Sequence, residues 1–372
     1  MTEMIEAEPA LAARILERLA GPGSAAASLA EAVRETAAAG RPLILTGCGT
    51  SEHGAIAGAE VLREAMRTAA LPSAPGEVGA PLAVQAFEAS LEIELAGHGG
   101  LVIGISHEGG TWATNQALER ARASGARVAI VTVSDRSPGA SLAEIVVTTE
   151  EQDQSWCHTV GYLSPIAGLA AVAGHLTNRA VRPDAVRELL AAGLGAPAVD
   201  AAEHMARRLA GVERLIVVAS GVDRAAAREL VLKVEEGTHL PAAMRDLETF
   251  LHGHLAGVDG ATGLVLVLAD GARATERAGR AAGLLAAAAE VGVAAAAILG
   301  ARYDPLVGPQ LTPAGRIVVP PAPDLPPALA ALVSTIVPLQ LLTERLARAR
   351  SVDPDAIRRD DPAYRRAAEA AG

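Results

Sequence analysis

The sequence has few aromatic residues and few cysteines. Aromatic side chains make up 2% of the 372 residues, so the core must be built from Ala, Val, Leu and Ile, which suits closely packed layers of helix and sheet. Cys48 and Cys157 are too few for a disulfide framework or a cysteine-rich zinc site, and they fit a reducing cytoplasm. A net charge of −11 argues against a nucleic-acid partner held through its phosphates.

Lysine is almost absent. Of the 32 basic residues, Lys233 is the single lysine and all the others are arginine. The lone lysine is either a chance survivor in an arginine-rich composition or a residue whose work arginine cannot do. The second reading has a physical basis, because a lysine ammonium is compact and loses its proton when it is desolvated.

Targeting and membrane segments are not expected. The first 18 residues are acidic with a helical pattern, unlike the basic start and apolar run of a signal peptide. The Ala-, Leu- and Val-rich stretches are interrupted by Gly, Arg or Glu before about 18 residues, the length that a membrane-spanning helix needs. We therefore expect a cytoplasmic protein with no membrane partner.

The order of elements repeats after about 170 residues. Each half contains apolar runs that are followed by small polar loops and helical patterns, which predicts an α/β fold with two doubly wound parallel sheets in tandem. Residues 77–95 give no clear assignment. The predicted strands are 42–45, 100–105, 127–133 and 144–148, then 214–218, 263–268, 293–299 and 316–319. We expect N-terminal helices over 1–38, domains over 39–195 and 196–350, and a tail over 351–372.

Two loops in the first half have the composition of an anion site. The first contains Cys48, Gly49, Thr50 and Ser51, and the second runs from Ser106 through His107 and Glu108 to Thr111. Each follows a strand and precedes a helix, where backbone N–H groups and hydroxyls favour an anion. Taken alone, each is equally typical of turns and helix caps, but two such loops after neighbouring strands favour one shared pocket. The glycine spacing does not match a dinucleotide-binding fingerprint.

A helix in the second half carries a charged row. Glu229, Lys233 and Glu236 fall on one helical face. Apolar residues between them predict a buried helix, and a buried lysine between two glutamates is a candidate functional site, although an exposed ladder of ion pairs has the same spacing. His252 follows in a polar turn, and because no carboxylate or cysteine cluster accompanies the His252-x-His254 spacing, we expect no metal.

These residues, taken together, resemble the sugar isomerase (SIS) domain proteins, and in particular the isomerase half of glutamine–fructose-6-phosphate aminotransferases. The resemblance covers nearly the whole chain and implies two tandem SIS domains of flavodoxin-like fold. The matching segments are Glu6–Pro9, Cys48–Ser51, Ser106–Thr111, Gln154–Thr159 with Trp156, and the set Glu229, Lys233, Glu236 and His252 with the family's spacing.

The resemblance also implies roles for these residues. The counterpart of Glu236 moves a proton between C1 and C2 of an opened sugar, and the counterpart of Lys233 is its electrostatic partner. The counterpart of His252 assists ring opening from the neighbouring subunit, which implies a homodimer with shared active sites. The two loops hold the phosphate, Trp156 lies in a third substrate-lining turn, and no cofactor takes part.

The sequence departs from the family at three points. Glu108 replaces a serine of the second loop, no lysine follows Lys233, and the glutaminase half does not precede the matching region. These departures argue against the synthesis of glucosamine 6-phosphate. We expect an isomerase, deaminase or deglycase that acts on an amino-sugar phosphate or a ketosamine phosphate. The alternative is a non-catalytic sensor module that binds a sugar phosphate.

Overall fold

A computed structural model describes residues 1–74, 76–92 and 99–371. In the first half of the chain, two helices precede an alternation of strands and helices. The elements are α1 (Thr2–Leu19), α2 (Ala25–Ala38), β1 (Leu43–Gly47), α3 (Thr50–Thr68), β2 (Pro81–Gln85), α4 (Ala86–Leu91), β3 (Leu101–Ile105), α5 (Trp112–Ala123), β4 (Arg127–Thr132), β5 (Ile145–Thr148) and α6 (Val160–Thr177).

The second half repeats the alternation after two linking helices. Its elements are α7 (Pro183–Gly193), α8 (Ala196–Leu209), β6 (Arg214–Ala219), α9 (Arg224–Thr238), β7 (Ala242–Asp246), β8 (Thr262–Leu268), α10 (Ala274–Glu290), β9 (Ala294–Gly300), β10 (Arg316–Val319), α11 (Pro327–Ala349) and α12 (Pro362–Ala371). The domain boundary expected at 195–196 lies at the link between α7 and α8 and stays a prediction.

The strands form two five-stranded sheets with the same topology. The first has the order β2-β1-β3-β4-β5, and the second has the order β7-β6-β8-β9-β10 when it is followed from β7. All neighbouring strands are parallel. The central strands β1, β3 and β8 are buried along their whole length, because helices cover both faces of each sheet. The predicted fold class is confirmed.

The helices α6 and α11 correct one expectation from the sequence. Both are long and apolar enough to cross a membrane by length and composition, so glycines within α6 do not lower its mean hydropathy below that of a spanning helix. They are nevertheless interior helices, because 89% of each apolar window is buried inside the protein. At Gly58 of α3, a Cβ atom would lie 2.1 Å from Leu169 of α6, so glycine is needed for the close packing of these two helices.

Helix α9 of the second half packs against α3 of the first half. The two helices occupy equivalent places, since α3 follows β1 and α9 follows β6. Their contact brings the charged row of α9 to the loop at the start of α3.

Candidate functional site

The loop after β1 is shaped by two glycines. A Cβ atom at Gly47 would lie 2.6 Å from the backbone of Ser51, and Gly49 has a positive φ of 57°. Both positions therefore favour glycine over other residues. The backbone N–H of Ser51 donates to the carbonyl of Cys48, which folds the loop onto the first turn of α3. The predicted residues Cys48 to Ser51 thus lie at the amino end of a 19-residue helix.

The loop after β3 lies beside it, because β1 and β3 are neighbours in the sheet. Ser106 is buried, and its Oγ lies 3.4 Å from Oγ1 of Thr111. Glu108 is exposed, and its carboxylate accepts a hydrogen bond from Nε2 of Gln152 at 3.3 Å. The acidic residue therefore has a protein partner outside the loop, while the hydroxyls of Ser106 and Thr111 stay together.

His107 fixes the next loop. Its Nε2 accepts the backbone N–H of Asp153 at 3.0 Å, which requires a ring that is neutral at that nitrogen. Burial lowers the pKa of His107 to about 4, so the neutral ring is the stable form at neutral pH. Predicted as a ligand-binding residue, His107 is engaged by the backbone through this nitrogen.

The loop between β5 and α6 is tied together by Asp153. Its carboxylate accepts the backbone N–H groups of Ser155, Thr159 and Gly161 at 2.7–2.9 Å. Burial acts to raise the pKa of Asp153, but the nearby His158 and these donors outweigh it and lower the pKa. The same loop carries Trp156, which is 50% exposed.

The C-terminal tail covers one face of that tryptophan. The guanidinium of Arg359 lies 3.4 Å from the centre of the Trp156 ring, which is a cation–π contact. The tail therefore reaches the third predicted ligand loop.

The charged row of α9 is an ion-pair network. Nζ of Lys233 lies 2.5 Å from Oε2 of Glu236 and 3.7 Å from Oε1 of Glu229. The side chains of Lys233 and Glu229 are 0% and 1% exposed, whereas that of Glu236 is 28% exposed. The buried arrangement expected from the sequence is present, and of the two carboxylates Glu236 is the one that a ligand can reach.

The network extends into the first half through a residue that the sequence analysis missed. Nδ1 of His53, on α3, lies 2.6 Å from Oε2 of Glu229. Oγ1 of Thr50, on the same helix, donates to Oε1 of Glu229 at 3.2 Å. Glu229 is therefore buried and engaged by side chains of both halves, and it also faces Nζ of Lys233.

Mutual charge compensation holds both buried groups in their ionised forms. Burial acts to raise the pKa of Glu229, but Lys233, His53 and Thr50 outweigh it and lower the pKa. Burial likewise acts to lower the pKa of Lys233, but Glu229 and Glu236 raise it. Lys233 is thus an ammonium that stays charged next to a partly exposed carboxylate.

A cleft of about 400 Å³ gives access to Glu236. Its lining includes Leu240 of the second half and Arg358 and Tyr364 of the C-terminal tail. The carboxylate therefore combines a buried counter-charge on one side with an open cleft on the other. This combination suits a group that takes and returns a proton.

His252 lies on the surface. Its imidazole is 70% exposed and is 2.7 Å from Oε1 of Glu248. Within the residues that the structure describes, it forms no hydrogen bond with Glu229, Lys233 or Glu236. One chain alone therefore does not bring His252 into the network.

The corresponding edge of the second sheet is closed by its own side chains. The carboxylate of Asp223 accepts the backbone N–H groups of Ala269 and Asp270, and Asp270 pairs with Arg277 at 2.5 Å. The hydroxyl of Tyr303 donates to the carbonyl of Asp270. These polar groups satisfy one another, so the first sheet offers the better candidate site.

Neither cysteine has the character of a nucleophile. Burial raises the pKa of Cys48, and it raises the pKa of Cys157 to about 12. In residues 1–74, 76–92 and 99–371, no three His, Cys, Asp or Glu side chains are grouped to hold a metal ion.

Two comparisons relate the chain to curated proteins and solved structures, and no family model matches it. It is 26% identical over 325 residues to the glutamine–fructose-6-phosphate aminotransferase [isomerizing] of Gloeobacter violaceus, a match that covers 84% of the chain and 50% of that protein. A second match, to the enzyme of the same name from Zymomonas mobilis, is 27% identical over 184 residues and covers 46% of the chain and 30% of that protein. The chain thus spans about half the length of the first relative, and the second match is shorter.

Solved structures share the fold at low identity. The C-terminal domain of glucosamine-fructose-6-phosphate aminotransferase from Francisella tularensis superposes with a TM-score of 0.79 at 17% identity, covering 94% of this chain and 96% of that one. Tagatose-6-phosphate ketose/aldose isomerase from Escherichia coli superposes with a TM-score of 0.73 at 20% identity, covering 95% of this chain and 94% of that one. Glucosamine-6-phosphate deaminase from Thermotoga maritima superposes with a TM-score of 0.67 at 14% identity, covering 95% of this chain and 96% of that one. The tandem SIS fold and the resemblance to the aminotransferase isomerase half are confirmed.

Proposed function

We propose that this chain is a sugar-phosphate enzyme that moves a proton between C1 and C2 of an opened sugar, with Glu236 as the base. One observation carries the proposal: a partly exposed carboxylate lies 2.5 Å from a fully buried lysine, on a helix that contacts an anion-type loop. A structural ion pair has no need of the open cleft that Glu236 lines.

The phosphate is assigned to the two loops of the first sheet. Cys48 to Ser51 offer backbone N–H groups and hydroxyls at the start of α3, where the helix dipole favours an anion. Ser106 and Thr111 add hydroxyls from the second loop. The contact of Glu108 with Gln152 supports an arrangement in which its charge does not oppose the phosphate.

The proposed reaction uses Glu236 twice. Its carboxylate takes a proton from one carbon of the opened sugar and returns it to the neighbouring carbon, so the sugar gains and loses one proton overall. The ammonium of Lys233 lies beside that carboxylate, and its positive field offsets the negative charge that develops on the enediolate oxygens. Lys233 is fully buried, so it acts through its field without touching the sugar.

Nitrogen chemistry is the finer part of the proposal. Relatives in the comparison are named as an aminotransferase and a glucosamine-6-phosphate deaminase, which supports an amino-sugar phosphate or ketosamine phosphate as the substrate. We further propose a cytoplasmic homodimer in which the exposed His252 serves the site of the partner subunit and assists ring opening.

Proton exchange measured by NMR tests the proposal. A panel of sugar phosphates and ketosamine phosphates is incubated with the protein in D₂O, and the C1 and C2 protons are followed. We expect exchange with at least one member, and we expect Glu236→Gln to abolish it while calorimetric binding is retained. Glu235→Gln is the matched control, because that carboxylate is exposed and accepts the backbone N–H of Ala242 instead.

Two results would overturn the assignment. Near-normal exchange in Glu236→Gln would remove that residue as the base. Binding of a sugar phosphate without exchange of any proton in the wild-type protein would favour the sensor module over the enzyme.

A further inference from the structure

Two donors meet at one oxygen of Glu229. Oγ1 of Thr50 donates to Oε1 at 3.2 Å, and Nζ of Lys233 lies 3.7 Å from the same Oε1. The other oxygen, Oε2, is taken by His53 at 2.6 Å. All four side chains are buried, so water does not readily replace a donor that leaves.

The hydroxyl of Thr50 cannot serve two acceptors. A threonine carries one O–H proton, so Thr50 donates either to Glu229 or to an anion in its own loop. A phosphate competes well for this proton, because it carries up to two negative charges at the amino end of α3, whereas the single charge of Glu229 is already engaged by His53 and Lys233. Glu229 loses little by the exchange, since His53 and Lys233 still face it.

We propose that phosphate binding switches on the base through this shared oxygen, an inference that rests on the proposed function. The phosphate withdraws the Thr50 hydroxyl from Oε1 of Glu229. Lys233 then moves toward the vacated oxygen and away from Oε2 of Glu236, from which it lies 2.5 Å. The carboxylate of Glu236 loses its closest counter-charge and accepts a proton more readily.

The switch makes the phosphate group part of catalysis as well as of binding. When a sugar without its phosphate binds, Glu236 is still paired with Lys233 and is the weaker base. Inorganic phosphate, supplied separately, should occupy the loop and release the base. We expect phosphate to accelerate C1/C2 exchange of the dephosphorylated substrate by roughly tenfold, since general base catalysis contributes roughly 10²–10⁴-fold and the switch controls part of it.

The lone lysine allows a test that does not depend on activity. Because Lys233 is the only lysine, ¹⁵N-lysine labelling gives a side-chain resonance from this residue alone. Inorganic phosphate is titrated into the full-length protein, with calorimetry to follow binding. We expect the Nζ resonance to shift as phosphate binds. Thr50→Val should move the resonance in the same direction without phosphate and should abolish the response to phosphate.

Two further variants keep the test decisive. Thr50→Ser retains the hydroxyl and should respond as the wild-type protein does, even where the valine variant folds poorly. Thr68→Val, at the exposed far end of the same helix, removes a hydroxyl that donates to the backbone carbonyl of Glu64, and it should leave the Nζ resonance and its response to phosphate unchanged.

The outcomes separate the inference from the proposed function. Bound phosphate that leaves the Nζ resonance unmoved, or a full response in Thr50→Val, overturns the switch. Exchange with a sugar phosphate but no acceleration by free phosphate overturns it as well and leaves the proposed function standing. Absence of both phosphate binding and proton exchange in the wild-type protein overturns the two together.

Discussion

Replacing Lys233 with methionine should destabilise the protein severely. Methionine fills the volume of the side chain but leaves Glu229 buried with one counter-charge fewer. Breaking a buried ion pair by removing one partner costs about 3–5 kcal/mol of the free energy of unfolding. The range for a buried ion pair applies because the side chains of Lys233 and Glu229 are almost completely inaccessible to solvent, whereas an exposed pair contributes roughly 0–1 kcal/mol.

The loss should depend on pH in a defined direction. In the wild-type protein the pKa of Glu229 is held below its ordinary value, so its stabilisation is present above that value and is lost in acid. Without Lys233 the effect of burial dominates and the folded-state pKa rises above the unfolded one. The variant then loses stability as the pH rises. The deficit relative to wild type should therefore grow from pH 5 to pH 8.

Urea unfolding followed by circular dichroism across that pH range measures the deficit. Arg187→Met is the control, because it breaks an exposed pair with Asp184 that also spans one helical turn. The double variant Glu229→Gln/Lys233→Met should recover roughly 0.5–3 kcal/mol, the coupling typical of residues in contact. A deficit below about 1 kcal/mol, or one that is flat with pH, would refute the buried pair.

Three further predictions concern other parts of the chain. Mixing inactive Glu236→Gln and His252→Ala chains should restore part of the activity after verified subunit exchange, since some hybrid dimers carry one intact site; no recovery would contradict shared sites. Glu108→Ser should tighten sugar-phosphate binding in calorimetry, and a clear loss of affinity would mean that the carboxylate contacts the ligand. Burial raises the pKa of Glu8 well above its ordinary value, so its ionisation opposes folding as the pH rises. The free energy of unfolding of Glu8→Gln, measured with urea, should therefore rise relative to wild type between pH 5 and pH 9. A difference that shrinks as the pH rises would refute the conclusion that the Glu8 carboxyl is neutral in the folded protein.

The strands that the sequence did not predict lie at the sheet edges. In β2 only Pro81 is buried, and every residue of β7 is half-buried. A strand with a neighbour on one side alone needs no continuous apolar run, so its composition resembles that of a loop. The interior strands were predictable because burial on both faces demands a nearly continuous run of apolar residues, mostly Val, Ile, Leu and Ala.

The site was predictable where its pattern is local. The row from Glu229 to Glu236 repeats at helical spacing, so its burial on one face of a helix could be predicted. The role of His53 could not, because its partner Glu229 is 176 positions away in the other half of the chain. The available signal was the spacing of His53 three residues after Thr50, which places both on one face of α3.

The contacts of His107 and Glu108 were hidden for a related reason. Both were counted among the ligand-binding residues because they belong to an anion-type loop. Their partners, the backbone of Asp153 and the amide of Gln152, come from a different loop of the same sheet edge. Composition within one loop does not reveal which neighbouring loop will supply its hydrogen bonds.

The meeting of α3 and α9 has a consequence for how the two halves can evolve. The helices are equivalent products of the repeated fold, yet one supplies His53 and Thr50 while the other supplies Glu229 and Lys233. Neither helix satisfies this buried network alone, so a change in one half is felt as a loss of stability in the other. Selection on the two halves is therefore linked through this contact, although each half has its own sheet.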